Sequence, residues 1–137
     1  MTHPFHFTAR VYYEDTDAGG VVYYANYLKF AERARTEWLR SLGIHQQQLW
    51  EKEGVGFVVT HADIRFKQPA KLEDEITIET RLHHIGKARM SMRQTLRRKD
   101  AVLVEMAVEI ACVRGGKPMR IPEKITRLLA EFLPRTE

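Results

Sequence analysis

The sequence predicts an α+β fold in which an antiparallel five-stranded sheet wraps around one long central helix, with a short helix near the C-terminus. Apolar residues recur at steps of three and four between positions 26 and 42, the spacing of one helix face. Four later stretches alternate apolar and polar residues, and short turn-forming segments connect them as in hairpins. A long helix with one apolar face needs a sheet to cover it, and an antiparallel sheet with one dry face supplies that cover.

Length and composition are those of one globular domain. The chain has 137 residues, of which 44% are apolar, and a formal net charge of +4. We therefore expect a single domain over residues 1–137, and we exclude intrinsic disorder. No signal peptide and no apolar run of about 18 residues is visible, so no transmembrane segment is expected. The single cysteine, Cys112, fits a reducing compartment, and we expect a cytoplasmic protein.

The first half of the chain divides at two turn signals. An apolar segment around residues 5–13 predicts a strand that ends near Glu14, because a cluster of turn formers follows. The central helix is predicted to end at Gly43, a residue type that commonly closes helices in a left-handed conformation. Phe30 and Trp38 lie on its apolar stripe and are expected in the core.

The second half is predicted to hold the remaining strands and the short helix. In the first of these strands we expect Val58 and Thr60 to share the inner face with the later apolar residues. Pro122 stands at the predicted first position of the C-terminal helix. Edge strands of so short a sheet favour pairing with a second copy. The alternating strands are expected over residues 58–67, 76–83, 89–97 and 102–112.

Acids and glycines are concentrated between the first strand and the central helix, in the segment that begins at Glu14 and ends at Gly20. The first turn of a helix presents unpaired N–H groups and the positive end of its dipole. A carboxylate at Asp17 held beside such donors could act on an ester or thioester as nucleophile or as general base toward water. The alternative is that Asp15, Thr16 and Asp17 only form a turn or cap the helix.

This segment resembles the 4-hydroxybenzoyl-CoA thioesterase family of hotdog-fold proteins, and most closely its bacterial acyl-CoA thioesterase branch associated with the Tol–Pal system. The resemblance extends over nearly the whole chain and implies a hotdog fold with a homodimer or homotetramer as the functional unit. The residues that carry it are Asp15-Thr16-Asp17, Gly20-Val21-Val22-Tyr23, Asn26-Tyr27 and Glu32-Arg33-Ala34-Arg35.

The resemblance implies that Asp17 is the catalytic carboxylate and that the backbone N–H of Tyr24 polarises the thioester carbonyl. This branch often has histidine where Tyr24 stands, which affects a side-chain role but not a backbone donor. The family also binds CoA phosphates with basic residues, and by position Lys87, Arg89 and Arg120 are the candidates. The expected substrate is an acyl-CoA, with aliphatic chains favoured over aromatic groups.

Other function classes find less support. We expect no metal and no cofactor, because the acids at the loop lack the EF-hand's later ligands and no dinucleotide or phosphate-binding glycine motif is present. Nucleic-acid binding would rest on net charge alone. A hydratase or dehydratase on the same fold usually needs a histidine in the loop before the helix, and none is there. The main alternative is a non-catalytic module that binds CoA esters or acyl carrier protein and acts through protein partners.

Overall fold

The computed structural model describes residues 4–134 and has the predicted α+β architecture. Both ends of the expected domain, residues 1–3 and 135–137, lie outside the described residues. The elements are β1 (Phe5–Arg10), a 3-10 turn (Tyr13–Asp15), α1 (Asn26–Ser41), α2 (Gln46–Glu53), β2 (Val55–Phe66), β3 (Glu75–Ile85), β4 (Arg89–Arg98), β5 (Ala101–Arg114), β6 (Lys117–Pro118) and α3 (Glu123–Ala130).

One antiparallel sheet contains all the strands, in the order β1-β3-β4-β5-β2, with the two-residue β6 paired to β5. The five predicted strands are confirmed, and β6 is a sixth that two residues of pattern could not indicate. β1 ends at Arg10, earlier than predicted, because the chain turns into the 3-10 segment before Glu14.

The central helix is confirmed over Asn26–Ser41, and Gly43 follows it with a φ of 83°. Phe30 and Trp38 are buried in the core, as predicted. The helix α2 was not predicted, because none of its residues is buried and its sequence has no apolar period. Within residues 4–134 no helix has both the length and the apolar character needed to cross a membrane.

A β-bulge changes the expected facing of β2. The register between β2 and β5 shifts between Val59 and His61, so residues before and after the shift exchange faces. Val59 pairs with Ile110 and lies on the inner face, whereas Val58 pairs with Ala111 and lies on the outer face. The prediction that Val58 and Thr60 belong to the inner face was therefore wrong. An alternating sequence pattern does not reveal where an extra residue is inserted into a strand.

The inner face of β2 is only partly covered. The helix α1 packs mainly against β3 and β1, and β2 packs mainly against the short α2, although the ring of Phe66 also lies 5.8 Å from that of Tyr27 on α1. As a result Val59 is 47% exposed and Phe66 is 50% exposed, although both project to the side of the sheet that carries the core. β2 is also an edge strand, so one side of its backbone has no partner strand in the described chain.

Candidate active site

The turn after β1 is organised by the carboxylate of Asp15, which is buried. Its Oδ2 accepts the backbone N–H of Tyr12 at 2.8 Å, and this bond closes the 3-10 turn. The carbonyl of Asp15 accepts both the N–H of Tyr23, at 3.0 Å, and the side-chain amide of Asn26, at 2.9 Å. Asp15 is therefore a structural residue that fixes the start of α1 to the preceding turn.

Asp17 lies in the tight turn that follows. Its N–H donates to the carbonyl of Val21 at 2.9 Å, and its carbonyl accepts the N–H of Gly20 at 3.1 Å. Gly20 has a φ of 81°, in the left-handed region that glycine occupies without strain. The N–H of Gly19 donates to Asp17 Oδ1 at 2.8 Å, which orients the carboxylate. No described residue donates to Asp17 Oδ2, so this oxygen is open to a substrate or to water.

The turn is attached to a second loop, residues 69–74. Val22 donates its N–H to the carbonyl of Ala70 at 2.8 Å, and Tyr27 on α1 accepts the N–H of Ala70 at 2.9 Å with its hydroxyl. Burial raises the pKa of the Tyr27 hydroxyl. At the other end of the loop, Asp74 accepts a hydrogen bond from Arg98 at 2.7 Å. The two loops and the end of β4 thus hold the Asp17 turn against the sheet.

The Asp74 carboxylate is held in its charged form by these contacts. Burial by itself raises its pKa, but the N–H of Lys71 and the guanidinium of Arg98 outweigh burial, so the pKa of Asp74 lies below its usual value. The bond from the Lys71 N–H measures 2.8 Å. This ion pair is partly shielded from solvent, and it stabilises the loop only while Asp74 is ionised.

The start of α1 has no side-chain cap. Ala25 occupies the capping position and cannot accept a hydrogen bond with its side chain. Within residues 4–134, the backbone N–H groups of Tyr24 and Ala25 donate to no backbone or side-chain acceptor. The first turn also contains no acidic residue that would neutralise the helix dipole. This end of α1 therefore has two backbone donors that are free to bind an anionic oxygen.

Aromatic side chains surround these donors. The rings of Tyr23 and Tyr24 are 4.8 Å apart, and the ring of Phe66 contacts Tyr24 edge-on at 6.2 Å between centroids. A hydrogen bond with the hydroxyl of Tyr24 raises the pKa of Tyr23. A shallow hollow of about 280 Å³ lies between Tyr24, Phe66 and Lys67. It gives an apolar surface directly beside the unpaired N–H groups.

The three predicted CoA-binding residues lie at the opposite end of the sheet. The carbonyl of Lys87 accepts the N–H of Ile121 at 2.7 Å, which brings Arg120 beside the turn between β3 and β4. Arg89 has a carboxylate partner already, since its Nη1 lies 2.7 Å from Glu109. His84 joins Lys87 and Arg89 around a hollow of about 420 Å³ and was not predicted, because adjacent histidines in a strand gave no ligand spacing.

A buried polar group beneath α1 was also not predicted. The Gln94 amide, only 1% exposed, donates to the carbonyl of Ala31 at 2.9 Å and to the hydroxyl of Thr80 at 3.0 Å. Its oxygen accepts a hydrogen bond from Arg35 at 2.9 Å. Burial lowers the pKa of the Arg35 guanidinium, and Glu32 opposes that shift. In the sequence Gln94 looked like one more member of an alternating strand.

The candidate site of this hotdog fold therefore combines a carboxylate in a tight turn with free donors at the start of the central helix. Residues 11–129 match the thioesterase-like superfamily, and the chain belongs to this family. Membership confirms both the resemblance found in the sequence and the predicted enzyme class, a thioesterase. Residues 4–134 contain no group of three histidine, cysteine or acidic side chains close enough to hold a metal ion.

Named relatives are similar over almost their full length. The acyl-CoA thioesterase YbgC of Haemophilus influenzae is 46% identical over 127 residues, which cover 91% of this chain and 93% of the relative. The acyl-CoA thioester hydrolase YbgC of Escherichia coli is 40% identical over 131 residues, covering 93% and 95%. The crystal structure of a probable thioesterase from Bartonella henselae superposes with a TM-score of 0.84 at 41% identity, covering 87% of this chain and 99% of that one.

Proposed function

We propose that this protein hydrolyses acyl-CoA thioesters to the free acid and CoA, with Asp17 and the backbone N–H of Tyr24 as the reacting groups. The observation that carries the proposal is the unpaired N–H of Tyr24 at the uncapped start of α1. The Asp17 carboxylate lies in the same connection between β1 and α1. The names of the YbgC relatives support acyl-CoA as the substrate class.

The chemistry needs few groups. As the thioester carbonyl is attacked, its oxygen becomes negative, and the N–H of Tyr24 with the helix dipole stabilises that charge. Asp17 Oδ2 either attacks the carbonyl carbon, giving a mixed anhydride that water then hydrolyses, or removes a proton from the attacking water. Collapse of the tetrahedral adduct breaks the carbon–sulfur bond and releases the CoA thiolate. A thiol is more acidic than an alcohol, so this group leaves without a strong general acid.

We propose that two copies of the chain complete the site. Asp17 lies at the end of the sheet where β3 begins, and Lys87 lies just after the last residue of β3. A strand of this length spans about 30 Å, so about 30 Å separates the two residues. Antiparallel pairing of the free β2 edges of two copies would place the Lys87 end of one copy beside the Asp17 end of the other. It would also cover the exposed inner face of β2 at Val59 and Phe66.

In this dimer, Lys87 and Arg120 are the proposed ligands of the CoA phosphates. Their charges have no carboxylate partner within 4 Å in the described part of the chain. Arg89 is a weaker candidate than the sequence suggested, because Glu109 already neutralises it. Phosphates recognised in this way are bound by charge, so the affinity should fall as salt increases.

The proposed acyl group is short and aliphatic. A cavity of about 120 Å³ lies between α1 and the sheet, lined by Phe57, Met90 and Met92, at the end that would face the second copy's Asp17. A cavity of this order can also hold a single aromatic ring, so its size favours a small acyl group of either kind. The preference for an aliphatic chain rests on the resemblance to the Tol–Pal-associated branch.

The experiment is a thiol-release assay with a panel of acyl-CoA substrates that differ in chain length and in aromatic content. We expect turnover with the highest kcat/KM on short aliphatic chains. Saturable binding without turnover across the panel would instead favour the non-catalytic module, with acyl-CoA or acyl carrier protein as its ligand. The cytoplasm is the proposed location, supported by the single buried Cys112, and the association with Tol–Pal stays a prediction.

A further inference from the structure

The cavity between α1 and the sheet is apolar on one side and polar on the other. On the sheet side, Val59, Ile110 and Met90 stand in one row across β2, β5 and β4. On the helix side, the lining residues of α1 have the spacing i, i+3, i+4 and i+7, which is one face of a helix. They are Glu32, Arg35, Thr36 and Leu39. A purely hydrocarbon ligand gives no reason for the three polar side chains on this face.

The guanidinium of Arg35 is held in place from one side only. The side-chain nitrogen of Gln94 donates to the carbonyl of Ala31 and to the hydroxyl of Thr80, which fixes the orientation of the amide. The amide oxygen then accepts a hydrogen bond from Arg35 Nη1 at 2.9 Å. Among residues 4–134, Nε and Nη2 of Arg35 have no acceptor, and no carboxylate lies within 4 Å of the guanidinium. Arg35 therefore has unused donors at the cavity.

The other polar groups of the cavity bind one another. The hydroxyl of Thr36 donates to the carboxylate of Glu32 and accepts the side-chain amide of Gln46, at 3.3 Å. Glu32 is exposed, so solvent and salt screen its charge. Burial lowers the pKa of the Arg35 guanidinium, because the charge has lost water that no neighbouring carboxylate replaces. Arg35 is therefore the cavity residue that would gain most from an anionic ligand.

We propose that the substrate is the CoA thioester of a short aliphatic dicarboxylic acid, and that Arg35 binds the free carboxylate at the far end of the acyl group. The inference rests on the proposed thioesterase function and on the shared site, in which the second copy's Asp17 acts on the thioester carbonyl. The methylene groups would contact Met90 and Ile110, and the carboxylate would accept two hydrogen bonds from the free edge of the guanidinium. The cavity of about 120 Å³ has room for about four groups of the size of a water molecule, which matches the two methylenes and the carboxylate of a succinyl group.

The free carboxylate sets this substrate apart from a simple fatty acyl group. Hydrogen bonds between two charged partners are stronger than neutral ones, and the apolar sheet side of the cavity keeps water from competing for them. A methyl group in the same place would leave the Arg35 donors without an acceptor. We therefore expect the carboxylate to raise kcat/KM at least about tenfold over a methyl group. Hydrolysis consumes one water, breaks the carbon–sulfur bond and gives the free dicarboxylic acid and CoA.

The test compares succinyl-CoA with butyryl-CoA, which has the same number of acyl carbons and a methyl group in place of the carboxylate. Thiol release is measured with each substrate and corrected for the rate without protein. In the wild type, kcat/KM for succinyl-CoA should exceed that for butyryl-CoA by at least about tenfold. The methyl ester of succinyl-CoA at the far carboxylate should lose this preference, because the ester carries no charge.

Two variants separate substrate binding from a purely structural role of Arg35. Arg35→Met should lower the succinyl-to-butyryl ratio of kcat/KM by at least about tenfold, since the guanidinium is removed. A role in stability alone would affect both substrates equally and leave the ratio unchanged. Arg40→Met removes the same charge from the exposed side of α1, where Arg40 pairs with Glu37, and should keep the wild-type ratio.

The inference is overturned if the wild type hydrolyses butyryl-CoA at least as well as succinyl-CoA, or if Arg35→Met keeps the wild-type ratio. In either case turnover of butyryl-CoA leaves the thioesterase function standing. If no acyl-CoA is hydrolysed at all, the proposed function and this inference fail together. Should Arg35→Met not fold, the comparison of succinyl-CoA with its methyl ester decides, because it needs only the wild type; equal kcat/KM for the two would overturn the inference.

Discussion

Replacement of Gln94 by methionine tests how the structure places the central helix on the sheet. Methionine has a similar volume, so little cavity forms, but two neutral hydrogen bonds to Ala31 and Thr80 and one charged bond from Arg35 are lost. A neutral bond contributes about 1 kcal/mol and a charged one about 2 kcal/mol, so the free energy of unfolding should fall by about 3 to 4 kcal/mol. The Thr80 hydroxyl that loses its partner remains buried, which adds to the loss.

The assay is urea unfolding at one protein concentration, because association of the chains also contributes to stability. Gln48→Met on the exposed side of α2 is the matched control and should change stability by less than about 0.5 kcal/mol. The double variant Arg35→Met with Gln94→Met should lose less than the sum of the single changes, since both members of the charged pair are then apolar. A loss below about 1 kcal/mol for Gln94→Met would refute the reasoning.

Three further predictions concern the Asp17 turn and its support. Gly19→Ala should lower kcat about tenfold with the fold intact, because its Cβ would stand 3.3 Å from Asp17 Oδ1 and displace the carboxylate; unchanged kcat would contradict this. Tyr24→Phe should retain thiol release within about twofold, since the backbone donor remains, and a loss above about a hundredfold would show that the hydroxyl reacts. The pKa of Asp74 is lowered in the folded state. Its contribution to stability is therefore present above the unfolded pKa of about 4 and is lost as the pH falls through the folded pKa. The melting temperature of Asp74→Asn should therefore be lower than that of wild type at pH 7, with the difference vanishing in acid; equal melting temperatures at neutral pH would show that Arg98 contributes nothing.

Much of the fold could be predicted because the regular spacing of apolar residues in the sequence indicates which side chains are buried. The apolar stripe that includes Phe30 and Trp38 indicated the central helix, and Gly43 its end. The helix α2 could not be predicted, since none of its eight residues is fully buried and only Leu49 packs against the core, so no apolar period marks it. The bulge at Val59 was equally hidden, because an inserted residue changes the facing of a strand without changing its composition.

The candidate site could be predicted from the sequence only in part. The pattern around Asp17 indicated a carboxylate in the turn before a helix start, and the structure has Asp17 in the turn between β1 and α1, while its catalytic role stays a prediction. The separate role of Asp15 was not evident, because its function depends on bonds to Tyr12 and Asn26 that only the folded turn brings together. The distance between Asp17 and Lys87 was also hidden, since it depends on the direction of β3. That distance is what leads to a site shared between two copies.

The most direct test of the central claim is thiol release from a short-chain acyl-CoA by the Asp17→Asn variant. Glu14→Gln, which removes an exposed carboxylate from the same turn, is its matched control. We expect Asp17→Asn to lose at least about a hundredfold in kcat with unchanged assembly mass and melting temperature, and Glu14→Gln to keep the wild-type rate. An Asp17→Asn protein that hydrolyses the thioester at the wild-type rate would contradict the account.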